Sequence, residues 1–521
     1  MIIAIPQLNY KAGDLEGNTD KIISAIRKAR KTKAELIIFP ELTVCGAFPQ
    51  DFLEREDFIN KCRLAVDKIA LQCEQIAAIV CAPNLDVQNG IMYNSAYFIQ
   101  NGEVVDGVHK NILSDYDLFT ESRYFIAGED NTAIRYKNQN IRIIFDEYEA
   151  EFIEKTDSFV LYLGMNPFTL ESHAQRTQML SSLARKYGKN FIAPNHIGGY
   201  TSILFDGNSS AFNYKGIQVM QLKEFEEDLG LIDTNQMGSL PPLASSSERI
   251  ALLHRALVFG LKDYFSKHGF TKAILGLSGG IDSAVVAALG AEALGAKNIF
   301  GLLMPSCFST DHSVQDATDL AQNIGMPYEI ISIKQLYDDY LNALQPIFKD
   351  QPFNVAEENI QARIRGMLVM AMSNKFNYIP LNTSNKSEVA VGYGTLYGDL
   401  CGSLNTIGDV YKTDIYALAH HINRNHVIIP EHTITKAPSA ELRPGQKDQD
   451  SLPDYPLLDA ILKLYIEENN SQEQIASQGY PPEVVQKIIN MVQRNEYKRA
   501  QCPPILKVSK KAFGTGRKYP Y

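Results

Sequence analysis

The sequence has no excess of positive charge and no apolar run of membrane-spanning length. Its net charge of −10 argues against a nucleic-acid surface, while a local basic pocket for phosphates stays compatible with it. The N-terminal MIIAIPQLNY has the pattern of a buried strand rather than of a signal peptide. We therefore expect neither a nucleic-acid partner nor a membrane-inserted segment.

Cysteine is scarce and unpatterned. The seven cysteines include no CxxC pair, and the ten histidines include no His-x-x-x-His pair. An odd number of scattered cysteines favours a reducing cytoplasm over a disulfide framework. Without either pair there is no zinc motif. We expect a cytoplasmic protein with free thiols.

A chain of 521 residues is too long for one core, and its patterns divide it in two. Residues 1–235 alternate strand and helix signals, which predicts a layered α/β sandwich. A segment rich in Pro, Ser and Gly follows, and we predict a linker over residues 236–247. In residues 248–521, helical segments separate short apolar runs, which predicts a doubly wound parallel sheet. The basic, proline-broken C-terminal stretch favours an extended arm.

The stretch GLSGGIDSAVVAAL, residues 276–289, joins a predicted strand to a predicted helix. Glycines let an anion approach the backbone amides, and the start of a helix offers unpaired N–H groups. The pattern is neither a Walker loop nor GxGxxG. Asp282 would repel a phosphate unless a cation lay between them, so we interpret it as a Mg²⁺ ligand. The alternative is an ordinary turn in which Asp282 caps the helix.

The run Ser-Gly-Gly-x-Asp-Ser after a strand resembles the pyrophosphate loop of the ATP pyrophosphatase superfamily (the adenine nucleotide alpha hydrolase-like fold). Further blocks resemble NAD⁺ synthetases in the same order along the chain. They are ENIQARIRGMLVMAMSN (358–374), NTSNKSEVAVGYGTLYGD (382–399), GDVYKTDIYALA (408–419), PSAELRPGQKDQDSLPDYPLLDAIL (438–462) and KRAQCPPILKVSKKAFG (498–514). The second domain is therefore identified as similar to the NAD⁺ synthetase family.

The resemblance implies a two-step reaction that requires ATP and Mg²⁺. The nicotinate carboxylate of deamido-NAD⁺ would attack the α-phosphate of ATP and release pyrophosphate, and ammonia would then displace AMP to give NAD⁺. The protein would contribute positioning and neutralisation of charge. The resemblance also implies a homodimer through the synthetase domain, or a larger assembly.

The same resemblance assigns roles to individual residues. Those expected to bind ATP are Gly276, Ser278, Gly279, Gly280, Asp282, Ser283, Met304, Thr383 and Lys412. Those expected on the deamido-NAD⁺ side are Asn359, Arg363, Glu388, Asp399 and Lys498. Asp282 and Glu388 would be metal ligands, and Asp282 and Lys412 catalytic residues. Met304 taken alone is more typical of a core residue, and Arg365 and Lys386 of solvated or paired side chains. At Gln449 we expect an acidic residue instead, which is a departure from the family pattern.

The first domain resembles the nitrilase-like amidase domain of glutamine-dependent NAD⁺ synthetases, which would hydrolyse glutamine with a Glu–Lys–Cys triad. Glu41 follows the strand in IIFPELTVCG and fits the general base. Lys110, in HKNILSDYDLF, fits the cation that stabilises the oxyanion.

The expected cysteine is missing from this triad. In IRIIFDEYE, the nucleophile position holds Phe145, which cannot attack an amide. The substrate side also departs from the family pattern. Where we expect Ser-Pro-Phe followed by a lysine, the chain reads NPFTLESHAQR, with Asn166 and His173. We therefore expect a degenerate glutaminase, with free ammonia rather than glutamine as the nitrogen source.

Three alternatives stay open at this stage. One is a working glutamine-dependent NAD⁺ synthetase with another nucleophile, although Cys45 and Cys81 are more typical of buried packing residues. A second is another adenylating ligase with a pyrophosphate loop, such as a GMP or asparagine synthetase. A third is a scaffold in which both sites are inactive.

Overall fold

The computed structural model describes residues 1–129, 131–243, 248–514, 516, 517 and 519. The chain divides into two compact units, Met1–Ser246 and Ser247–Tyr521. Within the predicted linker, Met237 is fully buried in the core of the first unit and Leu240 packs against that core. Residues 244–247 of the predicted linker, and residues 515, 518, 520 and 521 of the predicted arm, lie outside the described residues.

The first unit is rich in strands. They are β1 (Ile2–Gln7), β2 (Leu36–Ile38), β3 (Ala77–Asp86), β4 (Ile91–Gln100), β5 (Glu103–His109), β6 (Ile134–Tyr136), β7 (Gln139–Ile144), β8 (Phe159–Tyr162), β9 (Asn190–Ala193), β10 (Ile197–Tyr200), β11 (Ile203–Asp206), β12 (Ser210–Phe212), β13 (Gln218–Gln221) and β14 (Asp228–Asp233). Its helices include α1 (Leu15–Arg30), α2 (Glu56–Ala70) and α3 (Ser172–Tyr187).

These strands form face-to-face sheets. One sheet has the order β14-β1-β2-β3-β4-β5, another has the order β13-β12-β9-β8-β7-β6, and β10 pairs with β11. Because side chains alternate along a strand, Ile3 and Ile5 enter the core between the sheets while Ala4 faces the helices. Helices α1 and α2 cover the first sheet, and α3 covers the second. This confirms the nitrilase-like α/β sandwich.

The hairpin β4–β5 turns at Asn101 and Gly102, which both have positive φ angles, as the Asn-Gly pair predicts. The strand ends then fix where polar groups lie. Glu41 follows β2 by three residues, and Lys110 and Phe145 come directly after β5 and β7.

The second unit is built on a parallel sheet. Its strands are β15 (Ala273–Gly276), β16 (Ile299–Leu303), β17 (Tyr328–Ile330), β18 (Ile379–Asn382) and β19 (Leu404–Asn405). Its helices include α4 (Arg249–His268), α5 (Ile281–Leu294), α6 (Asp311–Ile324), α7 (Lys334–Phe348), α8 (Val355–Phe376), α9 (Lys386–Val391), α10 (Lys412–Ile422), α11 (Glu431–Thr435), α12 (Tyr455–Ile466), α13 (Gln472–Ser477), α14 (Pro482–Arg494) and α15 (Glu496–Arg499).

The strand order β17-β16-β15-β18-β19, with parallel pairing throughout, confirms the predicted doubly wound sheet. The chain adds β16 and β17 on one side of β15, then crosses to add β18 and β19 on the other. This reversal opens a crevice at the carboxyl ends of β15 and β18, where ligands bind in such folds.

The C-terminal stretch is extended but not detached. Ile505 bridges to Asn405, beside β18, and Leu506, Val508 and Phe513 are buried. None of the helices in the part of the chain that the structure describes combines the length and apolarity needed to span a bilayer.

Candidate active sites

The glycine turn after β15 has a backbone that only glycine fits. Gly279 has a φ of +76°, and a Cβ there would lie 2.2 Å from the carbonyl oxygen of Ser313. The Ser283 hydroxyl donates to the Gly280 carbonyl (3.0 Å) and accepts from the Ser278 N–H (3.3 Å). Gly280 is the N-cap of α5 and has no side chain to accept from the first N–H groups of the helix. The turn therefore presents amides suited to an anion.

Asp282 does not cap the helix, because the N-cap of α5 is Gly280, so the capping role considered for Asp282 is wrong. Its Oδ2 lies 2.6 Å from the Lys412 ammonium, and its Oδ1 accepts from the Asn385 amide (2.9 Å). The same ammonium lies 3.2 Å from Glu388 Oε1, and α9 begins beside it because Asn385 caps the Glu388 N–H. Lys412 thus joins the two carboxylates expected to bind a metal.

This charge centre, formed by Asp282, Glu388, Asp448 and Lys412, contains three carboxyl groups and one ammonium. Burial raises the pKa of Glu388 to about 8, Lys412 opposes that shift, and the carboxylates of Asp282 and Asp448 reinforce it. Burial lowers the pKa of Lys412, but Asp282 and Glu388 outweigh it, so the pKa ends above its usual value. Lys412 therefore stays charged.

A cavity of about 310 Å³ opens at these strand ends. Its wall contains most of the residues predicted for ATP together with two predicted for deamido-NAD⁺. They are Gly276, Ser278, Gly280, Asp282, Ser283, Met304, Thr383, Glu388, Asp399 and Lys412. Met304 was expected either as a core residue or as an ATP-binding residue. It packs in a hydrophobic core cluster and also lines the cavity.

The remaining predicted residues lie outside the cavity lining. Gly279 packs against Ser313, as described above. Asn359 accepts from the Thr395 hydroxyl (2.7 Å), and the exposed Arg363 donates to the Leu396 carbonyl (3.2 Å). Lys498 donates to the carbonyls of Gly392 and Gly394 (2.7 and 2.8 Å).

The sequence reasoning missed several cavity residues. Arg365 donates from Nε to the Met304 carbonyl (3.0 Å), and burial lowers its pKa. Its helical spacing from Ala362 and Val369, which also line the cavity, is the signal that could have found it.

The residue before Gln449 supplies a carboxylate to the cavity. Asp448 faces the cavity and accepts from the hydroxyls of Tyr393 (3.0 Å) and Tyr455 (2.8 Å). Gln449 points elsewhere, donating to Asp454 (2.7 Å). The missing acid at residue 449 therefore removes no carboxylate from the cavity.

In the first unit, Glu41 and Lys110 are buried together with a second carboxylate. The Lys110 ammonium lies 2.8 Å from Glu41 and 2.7 Å from Glu121. The Asn94 amide donates to both carboxylates, at 2.6 and 3.2 Å. Burial raises the pKa of Glu41 to about 7, although Lys110 opposes the shift. Glu121 and Asn94 were not predicted, because they come from separate strands and loops.

Phe145 occupies the end of β7 next to this cluster. Glu149 accepts the N–H groups of Phe145 (2.7 Å) and of Asn111 (2.7 Å), which ties β7 to the loop after Lys110. Phe145 is 2% exposed and packs in the core between the sheets.

The cysteines of the first unit are buried and unactivated. Burial holds the pKa of Cys45 and of Cys81 well above the usual range. Cys45 contacts the carbonyls of Leu42 and Gly46 rather than a base. Among the hydrogen bonds of the described residues, no cysteine sulfur contacts Glu41 or Lys110.

Two families match successive parts of the chain. Residues 2–240 match the carbon-nitrogen hydrolase family, and residues 253–502 match the NAD synthase family. The glutamine-dependent NAD(+) synthetase of Synechocystis sp. is 40% identical over 549 aligned residues, covering 99% of this chain and 98% of the relative. That of Acinetobacter baylyi is 37% identical and covers 99% and 97%.

A solved structure agrees over the whole length. Glutamine-dependent NAD⁺ synthetase from Acinetobacter baumannii, in complex with ADP, superposes with a TM-score of 0.80 at 35% identity, covering 100% of this chain and 98% of that one. The chain therefore belongs to the family of two-domain NAD⁺ synthetases, in which a carbon-nitrogen hydrolase domain precedes the NAD synthase domain.

Proposed function

We propose that this chain amidates deamido-NAD⁺ to NAD⁺ at the cavity of the second unit, with ATP converted to AMP and pyrophosphate. The observation that carries the proposal is the meeting of the glycine turn with Asp282, Glu388 and Lys412 in one cavity. A turn of free amides suits a phosphate group, and the adjoining lysine is a point charge for phosphate oxygens.

Each step has a residue to support it. In the first, the substrate carboxylate attacks the α-phosphate, and the turn at Ser278–Gly280 would bind the departing pyrophosphate. Lys412 would neutralise charge that develops on the phosphates. In the second, ammonia adds to the acyl carbon, AMP leaves with the electron pair of the broken C–O bond, and one N–H proton is released to give the amide. Arg365 and Met304, on the cavity wall, would border the adenosine side.

The charge centre fits a divalent cation. Lys412 pairs with Asp282 and Glu388, and Asp448 adds a third carboxyl group to the same cavity wall. Over the described residues, no three His, Cys, Asp or Glu side chains form a closed metal site. Mg²⁺ is commonly held by one or two carboxylates together with substrate phosphates, so Asp282 and Glu388 would hold it. When bound, it would neutralise phosphate charge.

The nitrogen donor has two candidates. The full-length relatives are named glutamine-dependent, and by this comparison glutamine fits better than free ammonia. Phe145 is the specific observation that favours ammonia, because the position after β7 carries a buried ring instead of a thiol. Covalent hydrolysis of glutamine requires an activated nucleophile. We propose ammonia for this chain on that ground.

The test compares nitrogen sources. NAD⁺ formation is measured from deamido-NAD⁺, ATP and Mg²⁺, with either glutamine in ammonia-free buffer or ammonium chloride alone. We expect turnover with ammonium chloride and none with glutamine, and Asp282→Asn should abolish the turnover with ammonium chloride. Turnover with glutamine alone, or labelling of one cysteine by a glutamine-analogue chloroketone, would overturn the ammonia proposal and leave NAD⁺ synthesis standing.

A second measurement tests the substrate. ATP–pyrophosphate exchange should depend on deamido-NAD⁺, because adenylation of its carboxylate reverses in the presence of pyrophosphate. Exchange that depends on another carboxylic or purine substrate would instead indicate a different adenylating ligase. No exchange with any of them would favour the inactive scaffold.

We also propose a homo-oligomer, as the family resemblance implies. Large apolar side chains on α7 and α8 are exposed, among them Tyr340, Ile347, Val355 and Met367. A second copy would cover them. Light scattering coupled to size-exclusion chromatography measures the mass, and a monomer at assay concentration would contradict the proposal.

A further inference from the structure

One wall of the cavity is a loop segment between α11 and α12. Residues 436–442 line the cavity along their whole length. The segment is fastened at separate points: Lys436 reaches α6, and the Leu442 carbonyl accepts from the Gln361 amide of α8 (2.8 Å). A third fastening, Glu441, reaches the start of α6 and was not predicted from the sequence.

Glu441 uses both carboxylate oxygens at the first turn of α6. Its Oε1 accepts from the hydroxyls of Ser313 (2.6 Å) and Thr310 (3.1 Å), and its Oε2 from the Thr310 N–H (3.4 Å). An anion is favoured at a helix N-terminus, so the charge strengthens each bond. Ser313 also accepts from the Lys436 ammonium (3.2 Å).

Ser313 connects this fastening to the phosphate turn. Its carbonyl lies so close to Gly279 that a Cβ would approach within 2.2 Å. The wall segment, α6 and the glycine turn are thus in continuous contact through Ser313. Loosening Glu441 would free the wall where it joins α6, next to the residue that contacts the glycine turn.

We propose that Glu441 is a positioning residue that holds this wall closed over the adenylated intermediate and keeps water from it. The inference rests on the proposed function. If water reaches the intermediate, its oxygen bonds to the acyl carbon, the C–O bond to phosphate breaks, and AMP leaves with the electron pair. Deamido-NAD⁺ is then regenerated, with two protons released overall from water as the two acids ionise. ATP is consumed without NAD⁺ being formed.

The test measures AMP and NAD⁺ together, with ammonium chloride as nitrogen source. The wild type should form them in a ratio near one. Glu441→Gln keeps a single carbonyl acceptor and loses the charge. The ratio of AMP to NAD⁺ should therefore rise to about two or more, and KM for ATP should rise about five- to tenfold. Glu441→Asp, which retains the charge, should recover part of the coupling, and Ser313→Ala should reproduce the loss from the other side of the contact.

The control is Glu431→Gln on α11, an exposed glutamate outside the described cavity lining; its ratio of AMP to NAD⁺ and its KM for ATP should match the wild type. In the double variant Glu441→Gln/Ser313→Ala, the two effects should not add. A ratio near one with unchanged KM in both single variants would overturn the inference. Absence of NAD⁺ in the wild type would instead overturn the proposed function.

Discussion

Replacing Lys110 by methionine tests whether the buried cluster of the first unit is structural. The change leaves the carboxylates of Glu41 and Glu121, which lie 2.8 and 2.7 Å from the ammonium, without their cation. Removing one partner of a buried ion pair costs about 3–5 kcal/mol. For a unit of this size, that corresponds to a fall in Tm of roughly 6 to 20 °C.

The fall in Tm caused by Lys110→Met should depend on pH. Glu41 has a pKa of about 7, above its unfolded value, so its protonated form favours folding below the unfolded pKa and this contribution is lost as pH rises through 7. Lys110→Met removes the ammonium that opposes the rise in the pKa of Glu41, so in the variant the buried Glu41 becomes harder to ionise as the pH rises. The fall in Tm should therefore be larger at pH 8. Adding Glu41→Gln should restore part of the Tm, because it removes a buried carboxyl group that has lost its cation.

Differential scanning calorimetry at the two pH values measures the effect. The matched control is Lys137→Met, whose surface pair with Glu35 (2.8 Å) is worth at most about 1 kcal/mol. Below the transition, turnover with ammonium chloride should equal that of the wild type. An unchanged Tm, accompanied by loss of glutamine-driven turnover, would refute the reasoning and make Lys110 catalytic.

Other outcomes follow from the same contacts. Asp282→Asn should lower NAD⁺ formation at least about a hundredfold without changing Tm by more than a few degrees, and unimpaired turnover would contradict its role. Lys412→Met should tighten Mn²⁺ binding in the absence of nucleotide, measured by electron paramagnetic resonance, because the ammonium no longer competes for Asp282 and Glu388; weaker binding would contradict this. Phe145→Cys should cost up to about 3–5 kcal/mol in a denaturation experiment, because the ring fills the core between the sheets, and it should not by itself give glutamine-driven turnover.

The strands and the hairpin turn could be predicted from the sequence, because they depend on residues that are neighbours along the chain. Alternating apolar residues predict β1, and the Asn-Gly pair predicts the β4–β5 turn. The glycine turn could also be predicted, because Gly279 and Gly280 lie in the run Ser-Gly-Gly-x-Asp-Ser and Gly279 has a positive φ angle.

What the sequence could not provide is the pairing of residues from distant segments. Glu121 shares Lys110 with Glu41 only because the loop after β5 returns on itself, with Ser114 and Glu121 hydrogen-bonded to each other. The effect of Gln449 on the cavity could not be predicted either, because the short turn at Asp448–Asp450 decides which of these side chains faces inward. Arg365 lies in the block at 358–374, but we expected its side chain to be solvated or paired, and only the folded helix places it on the cavity wall.

The end of the first unit decides where the chain can be cut. Met237, buried beneath the sheets, and Leu240, packed against them, lie beyond the last strand. A fragment stopping at residue 235 would leave an apolar hole and expose the surface that Met237 covers. A fragment that continues past Leu240 would keep both of these core contacts. The first unit should therefore be expressed separately with its C-terminus beyond Leu240.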